Sequence, residues 1–183
     1  MNTPSRLLIT LLLMSIAIAH AQVKTFTAKH DESVMTYRLV HPLHKIEATS
    51  KAVDYTVDID PARKEIVRVA GVVDVTTFDS GNSNRDSHAM EVIDALSYPD
   101  ARFVSTGIVQ HGDSITVNGK LTFHGITKEI QAKARTQWSE NRLEVVGGFD
   151  VTLTAFSIER PSLLLIPVED LLAFSFTVII VWN

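Results

Sequence analysis

The chain has 183 residues, a formal net charge of −4 at pH 7 and no cysteine. This mildly acidic balance offers no positive surface for nucleic acid, so no nucleic-acid partner is expected. Without cysteine the chain has neither disulfide bonds nor thiolate metal ligands, and its stability must come from a packed core.

The N-terminal residues have the pattern of a secretory signal peptide. A short polar segment with Arg6 precedes an apolar run over residues 7–18, and Ala19-His20-Ala21 supplies small residues at the cleavage positions. The run is too short for a membrane span, which needs about 20 residues. We therefore expect residues 1–21 to be removed, residues 22–183 to form a single domain, and the mature protein to be periplasmic or secreted.

The domain begins with segments in which apolar and polar residues alternate. This alternation predicts strands over residues 23–27, 34–40, 45–59 and 65–78. The fourth strand is expected to place a row of valines on one face: Val67, Val69, Val73 and Val75.

A single helix is predicted after these strands. Four apolar residues have the i, i+3, i+4, i+7 spacing of one buried helical face: Ala89, Val92, Ile93 and Leu96. Ser83 or Asn84 is expected to cap the first turn. Pro99 marks the end, because the residue before proline avoids helical geometry.

Five further strands are predicted over residues 102–109, 115–123, 128–138, 143–153 and 171–182. The clearest alternation lies at 115–123, where Gly119 shares a face with Ile115, Val117, Leu121 and Phe123. A sheet that keeps one face dry over so many strands must pack on another sheet or close on itself. The sequence thus predicts an all-β fold with one short α-helix, arranged as an extended antiparallel up-and-down β-barrel. A two-sheet β-sandwich is the alternative.

Four segments of the chain resemble the YceI-like family of small exported bacterial proteins. They are residues 78–88, 98–103, 119–128 and 149–156, and the most specific parts are Asn84-Arg85-Asp86-Ser87-His88 and Leu121-Thr122-Phe123-His124-Gly125. The resemblance implies a lipocalin-like barrel with a helix near one end, and some family members carry a long polyisoprenoid inside it. No enzymatic activity defines the family. His41-Pro42-Leu43-His44 departs from the histidine-plus-glycine turn expected there.

The alternation and the resemblance together predict an exported binding protein. Its barrel would hold a long apolar amphiphile (a polyisoprenoid, a quinone-like or a fatty lipid) for storage or transport. No cofactor is expected, although an isoprenoid lipid can be bound as ligand. The candidate ligand-binding residues are Phe103, Leu121, Phe123, Phe149, Val151, Leu153, Phe156, Phe174 and Phe176. The alternative is that these side chains fill a solid core and the protein is an interaction domain.

Arg85 and His88 are the candidates for binding a polar head group. Both can donate hydrogen bonds to a phosphate or a quinone carbonyl, and a helix N-terminus favours anions. In the alternative interpretation, this segment caps the helix and fixes it over one end of the barrel by a salt bridge.

The histidines give a second, enzymatic hypothesis. His41 and His44 form a His-x-x-His pair, and a metal-dependent or lipid-modifying enzyme could use them together with His88. Pro42 and the strand context oppose a helical zinc site, and neither a catalytic residue nor a metal ligand is assigned.

The segment 161–167 is apolar and bounded by Pro161 and Pro167. Such a loop is expected at the surface, where it could serve as a lipid portal, a homodimer contact, a tip for transient membrane contact or a lid.

Overall fold

The structure is a computed structural model that describes residues 22–182, so the predicted signal peptide lies outside the described residues. In chain order, the first half comprises β1 (Lys24–Thr27), β2 (Val34–His41), β3 (His44–Ser50), β4 (Val53–Asp60), β5 (Glu65–Asp74) and α1 (Ser83–Val92). The second half comprises β6 (Asp100–His111), β7 (Ser114–Phe123), β8 (Ile126–Trp138), β9 (Arg142–Thr152), β10 (Ser162–Leu163), β11 (Ile166–Pro167) and β12 (Leu171–Val181).

Ten strands form one antiparallel sheet in the order β1-β4-β5-β6-β7-β8-β9-β12-β2-β3, and β10 pairs with β11 in a separate hairpin. β3 is one edge of the large sheet and β4 is next to the other edge, yet only Lys51 and Ala52 separate them in the chain. Three Cα–Cα steps span at most about 11 Å, so the sheet must curl until its edges approach. The predicted all-β, lipocalin-like barrel with one helix is therefore confirmed, and a single curled sheet replaces the alternative sandwich.

The seam between the two edges is covered by the segment that leads into α1. Thr49 of β3 and Asp79 exchange backbone hydrogen bonds of 2.9 and 3.0 Å. The hydroxyl oxygens of Ser50 and Thr77 lie 2.6 Å apart. The edge strand β3 thus forms hydrogen bonds with this segment. Among the described residues it forms no ladder with β1, the opposite edge of the sheet.

Two predictions on the early strands are wrong in detail. Residues 45–59 form two strands rather than one, because the chain turns at Lys51 and Ala52 to pass from one end of the sheet to the other. Val67 is 49% exposed and does not join the inward row of valines. Ile59 pairs with Ile66 whereas Asp58 pairs with Arg68, so Val67 is the extra residue of a β-bulge and points outward.

The helix is present but differs from the prediction at both ends. Asn82 caps it, since its side chain accepts a hydrogen bond from the backbone N–H of Arg85 at 3.2 Å. The helix stops at Val92, and Asp94 then takes a left-handed conformation with φ of 46°. Leu96 therefore leaves the predicted buried face and is 98% exposed.

The inward faces of the strands form two buried clusters along the barrel. One contains Ile59, Ile115, Leu143 and Ile180, and the other contains Phe123, Leu153, Phe156 and Leu172 together with apolar residues of α1. The predicted inward face of β7 is confirmed, since all its members are buried. Within residues 22–182, no helix has the length and apolarity that a membrane crossing requires.

Candidate functional site

A cavity of about 230 Å³ lies inside the curled sheet and touches both clusters. Its wall is built from residues of β2–β9 and β12 and from α1. Aliphatic and aromatic side chains dominate the wall, and its polar members are Tyr37, Tyr55, Arg85, Asp86 and His88. The alternative of a completely filled interior is therefore wrong.

Seven of the nine candidate ligand-binding residues line this cavity: Phe103, Leu121, Phe123, Phe149, Leu153, Phe174 and Phe176. The other two, Val151 and Phe156, are 6% and 1% exposed and belong to the second buried cluster without lining the cavity. Phe156 lies in a short 3₁₀ turn after β9, where its ring packs 5.5 Å from that of Phe123. Contact of the seven residues with a ligand stays a prediction.

Several wall residues were missed by the sequence analysis. Met35, Tyr37 and Leu39 come from β2, and Met90 comes from α1. The alternation within β2 carried the necessary signal. Met90 does not belong to the buried helical face that the spacing predicted, so the sequence pattern did not indicate that it lines the cavity.

Gly119 makes room for an aromatic side chain in the wall. A Cβ atom at this position would overlap the Phe103 ring and the backbone oxygen of Val104. Phe103 is the direct partner of Leu121, so its ring leans diagonally over the glycine. The Phe103 ring thus occupies the space that a side chain at residue 119 would take, so this glycine does not enlarge the cavity.

Tyr55 places a hydroxyl group in the apolar wall. Its side chain is 8% exposed, and burial raises the pKa of the phenol, so it stays neutral and remains a hydrogen-bond donor. Among the described residues, this hydroxyl has no hydrogen-bond partner. An unpartnered buried donor costs free energy, so this hydroxyl is available to a polar atom that enters the cavity.

The charged residues of the wall are grouped on α1. The Arg85 Nε–H donates to Ser80 Oγ at 3.0 Å, and the Asp86 carboxylate accepts from the Ser80 backbone N–H at 3.2 Å. Burial and the Asp86 carboxylate raise the pKa of Tyr37, and the Arg85 guanidinium opposes this rise. The structure therefore brings the head-group candidates Arg85 and His88 to one side of the cavity. The alternative interpretation differs in detail, because Asn82 rather than this segment caps the helix and Arg85 bonds to Ser80 instead of forming a salt bridge.

The histidine pair lies apart from the cavity wall. The rings of His41 and His44 are 5.1 Å apart, centroid to centroid. His41 is buried, its Nδ1 accepts from the Leu43 N–H at 3.2 Å, and its Nε2 lies 3.0 Å from the Ile166 carbonyl oxygen. In residues 22–182, no three His, Cys, Asp or Glu side chains are close enough to hold a metal ion, so these two do not combine with His88.

The predicted 161–167 loop is a hairpin made by β10 and β11. Its two central residues, Leu164 and Leu165, are 76% and 96% exposed. Both have positive φ, 53° and 68°, which side chains larger than glycine or asparagine rarely adopt. Leu163 and Ile166 extend this exposed apolar surface, which we call the leucine tip (residues 163–166).

The fold and the sequence both match known proteins. A UPF0312 protein of Pseudomonas fluorescens is 32% identical over 125 residues, which cover 63% of this chain and 65% of that protein. The chain thus spans less than two thirds of the length of the curated relatives it matches, from 53% to 65%.

Solved structures share the fold at low sequence identity. Burkholderia cenocepacia BcnA superposes with a TM-score of 0.75 at 22% identity, covering 83% of this chain and 98% of BcnA. A polyisoprenoid binding domain from Saccharophagus degradans gives 0.64 at 12% identity, with 86% and 98% covered. The YceI-like domain itself matches residues 16–179. The chain therefore belongs to the YceI-like family.

Proposed function

We propose that this protein binds a long apolar amphiphile, a polyisoprenoid, quinone-like or fatty lipid, inside its barrel and stores or transports it. The observation that carries the proposal is the internal cavity, whose wall is apolar except for five residues. Each methylene group moved from water into such a wall contributes about 0.8 kcal/mol, so chain length would dominate affinity. The Saccharophagus relative is described as polyisoprenoid-binding, and this supports the same ligand class here.

Extraction of the purified protein with organic solvent, followed by mass spectrometry, tests the proposal. We expect an isoprenoid or fatty species at close to one molecule per chain. Leu121→Trp fills the cavity and should abolish loading, whereas Lys120→Trp places the same ring on the outer face of β7 and should not. Thermal unfolding checks that both variants fold. An empty extract combined with no binding of added cis-parinaric acid, a fluorescent fatty acid, would contradict the proposal.

We also propose that Arg85 and His88 bind the polar head of the ligand. Both line the cavity from α1, and their side chains can donate to anionic oxygen. Competition against cis-parinaric acid should therefore show that Arg85→Ala with His88→Ala weakens binding of farnesyl phosphate and leaves binding of farnesol unchanged. Equal weakening of both ligands would show that the two side chains only support the helix.

The leucine tip supports a proposal of transient membrane contact. Four apolar side chains at 163–166 are 40–96% exposed on one hairpin, and burying them in a lipid surface would be favourable. We expect flotation with phosphatidylethanolamine–phosphatidylglycerol vesicles, lost in Leu164→Asn with Leu165→Gly. If flotation is absent and ultracentrifugation shows a dimer that the same variant dissociates, the tip is instead a homodimer contact.

The pattern of residues 1–21 supports export, and the proposed location is periplasmic or secreted. N-terminal sequencing of the protein recovered from the periplasm or medium should begin at Gln22. Recovery of the intact N-terminus from the cytoplasm would refute this location.

A further inference from the structure

The barrel wall has a break between β8 and β9. Registered pairs join the two strands from Trp138–Leu143 to Lys133–Gly148 and then stop. β8 continues over residues 126–132, paired only with β7, and β9 continues over residues 149–152, paired only with β12. Within the part of the chain that the structure describes, these two continuations form no ladder with each other.

A surface depression lies at the point where the pairing stops. It is lined by Gln131, Lys133, Gly148, Phe149, Asp150 and Phe174. Gln131 and Lys133 come from β8, Gly148, Phe149 and Asp150 come from β9, and Phe174 comes from β12. The lining thus combines exposed polar residues with the two aromatic residues Phe149 and Phe174.

Phe149 and Phe174 line both this depression and the internal cavity. They are direct cross-strand partners, and their rings are stacked with centroids 4.9 Å apart and an interplanar angle of 17°. Both residues are only partly buried. Two aromatic rings therefore stand where the interior and the outer depression meet.

The geometry points to a lateral portal: a hydrocarbon or prenyl chain passes between β8 and β9 when the Phe149 and Phe174 rings move aside. This inference rests on the proposed lipid-binding function and adds the path that the ligand takes. Rotation of the two rings breaks no hydrogen bond of the sheet, because the β9–β12 ladder uses backbone atoms only and β8 and β9 form no registered pair beyond Lys133–Gly148. The two aromatic rings give an entering apolar chain its first apolar contact at the depression.

The absence of cysteine from the sequence allows the break to be bridged selectively. In Gln131→Cys with Asp150→Cys, a short bifunctional maleimide would join the two sides of the depression. The matched control is Lys120→Cys with Glu129→Cys, a directly paired, exposed couple between β7 and β8, which the same reagent joins where the wall is already continuous. Stopped-flow fluorescence then measures the rate at which cis-parinaric acid loads, and titration measures how much is bound at equilibrium.

We expect the bridge at 131 and 150 to slow loading at least tenfold with unchanged equilibrium binding, and the control bridge to leave the rate unchanged. Phe149→Ala, without any bridge, should load and release the probe several-fold faster, and thermal unfolding checks its fold. An unchanged rate in the bridged protein overturns the lateral portal and leaves lipid binding intact. No equilibrium binding in the unbridged protein instead refutes the proposed function itself.

Discussion

His41 Nε2 lies 3.0 Å from the backbone oxygen of Ile166, so a buried histidine ties the β2–β3 turn to the leucine tip. The Leu43 N–H donates to Nδ1 of the same ring, which leaves the proton of the neutral imidazole on Nε2, where it can donate to Ile166. Of the two histidines on which the enzymatic hypothesis depended, His41 thus anchors a hairpin.

His41→Ala should lower the free energy of unfolding by about 1–3 kcal/mol, because it leaves the Ile166 carbonyl without its donor. Hydrogen exchange at the Leu43 amide should also accelerate. His44→Ala is the control: this neighbouring side chain is exposed, and its change should stay within about 0.5 kcal/mol. Urea unfolding measures both variants, and equal losses would contradict the anchoring role of His41.

Gly119→Ala should destabilise the protein by about 1–3 kcal/mol, since the new methyl group collides with the Phe103 ring and the Val104 carbonyl. Gly107→Ala is the matched control, because a Cβ at Gly107 meets no atom within 4 Å. We expect that control to change stability by less than about 0.5 kcal/mol. A tolerated alanine at 119 would mean that Phe103 leaves the position it has in the cavity wall.

Tyr55→Phe should raise the stability of the ligand-free protein by about 1 kcal/mol, because it removes a buried hydroxyl that has no partner among the described residues. Tyr98→Phe, at a side chain that is 38% exposed, should have no effect. Chemical unfolding of delipidated protein measures the difference. A loss of stability in Tyr55→Phe would show that the hydroxyl has a partner, for example a bound water.

The sequence predicted the faces of the strands well because one buried face imposes a period of two. The inward row of β7 and six of the seven phenylalanine and leucine positions on the cavity wall follow from this period, whereas Leu153 lies in the turn after β9. The sequence did not predict the bulge at Val67, because a bulge depends on the register with the partner strand. It also did not show the end of pairing at Lys133–Gly148, since each strand keeps its alternation on both sides of the break.

Asp170 connects the segment after the leucine tip to the 3₁₀ turn that follows β9. Its carboxylate accepts hydrogen bonds from the Thr154 hydroxyl and from the Thr154 backbone N–H, and chiefly these bonds lower its pKa below the ordinary value of 3.8. A lowered pKa in the folded state means that the unfolded state binds protons more readily. The ionised Asp170 therefore contributes fully to the free energy of unfolding above pH 3.8. This contribution is lost as the pH falls through the pKa that Asp170 has in the folded protein.

Thr154→Val should move the pKa of Asp170 back towards 3.8, because it removes the hydroxyl donor. Thr154→Ser keeps that donor and should retain the lowered pKa. Titration of the Asp170 carboxyl carbon by NMR measures both. An unchanged pKa in the valine variant would show that the backbone N–H alone sets it.

Leu164→Asn with Leu165→Gly should make the fold more stable by about 1–2 kcal/mol. Both leucines have positive φ, which costs an ordinary side chain roughly 1–2 kcal/mol each. Asparagine relieves only part of this cost, and glycine loses about 0.5–1 kcal/mol more conformational entropy on folding, so the net gain is smaller than the sum. The leucine side chains are 76% and 96% exposed, so their removal gives up little packing. Leu163→Asn, at an exposed residue outside the two positive-φ positions, is the control and should bring no gain.

Urea unfolding measures the gain in stability of the double variant, and flotation measures whether the same variant still binds vesicles. A variant that is more stable and no longer floats would show that the hairpin retains strained, exposed leucines because they contact lipid. A variant that is no more stable would show that the left-handed turn stores no strain.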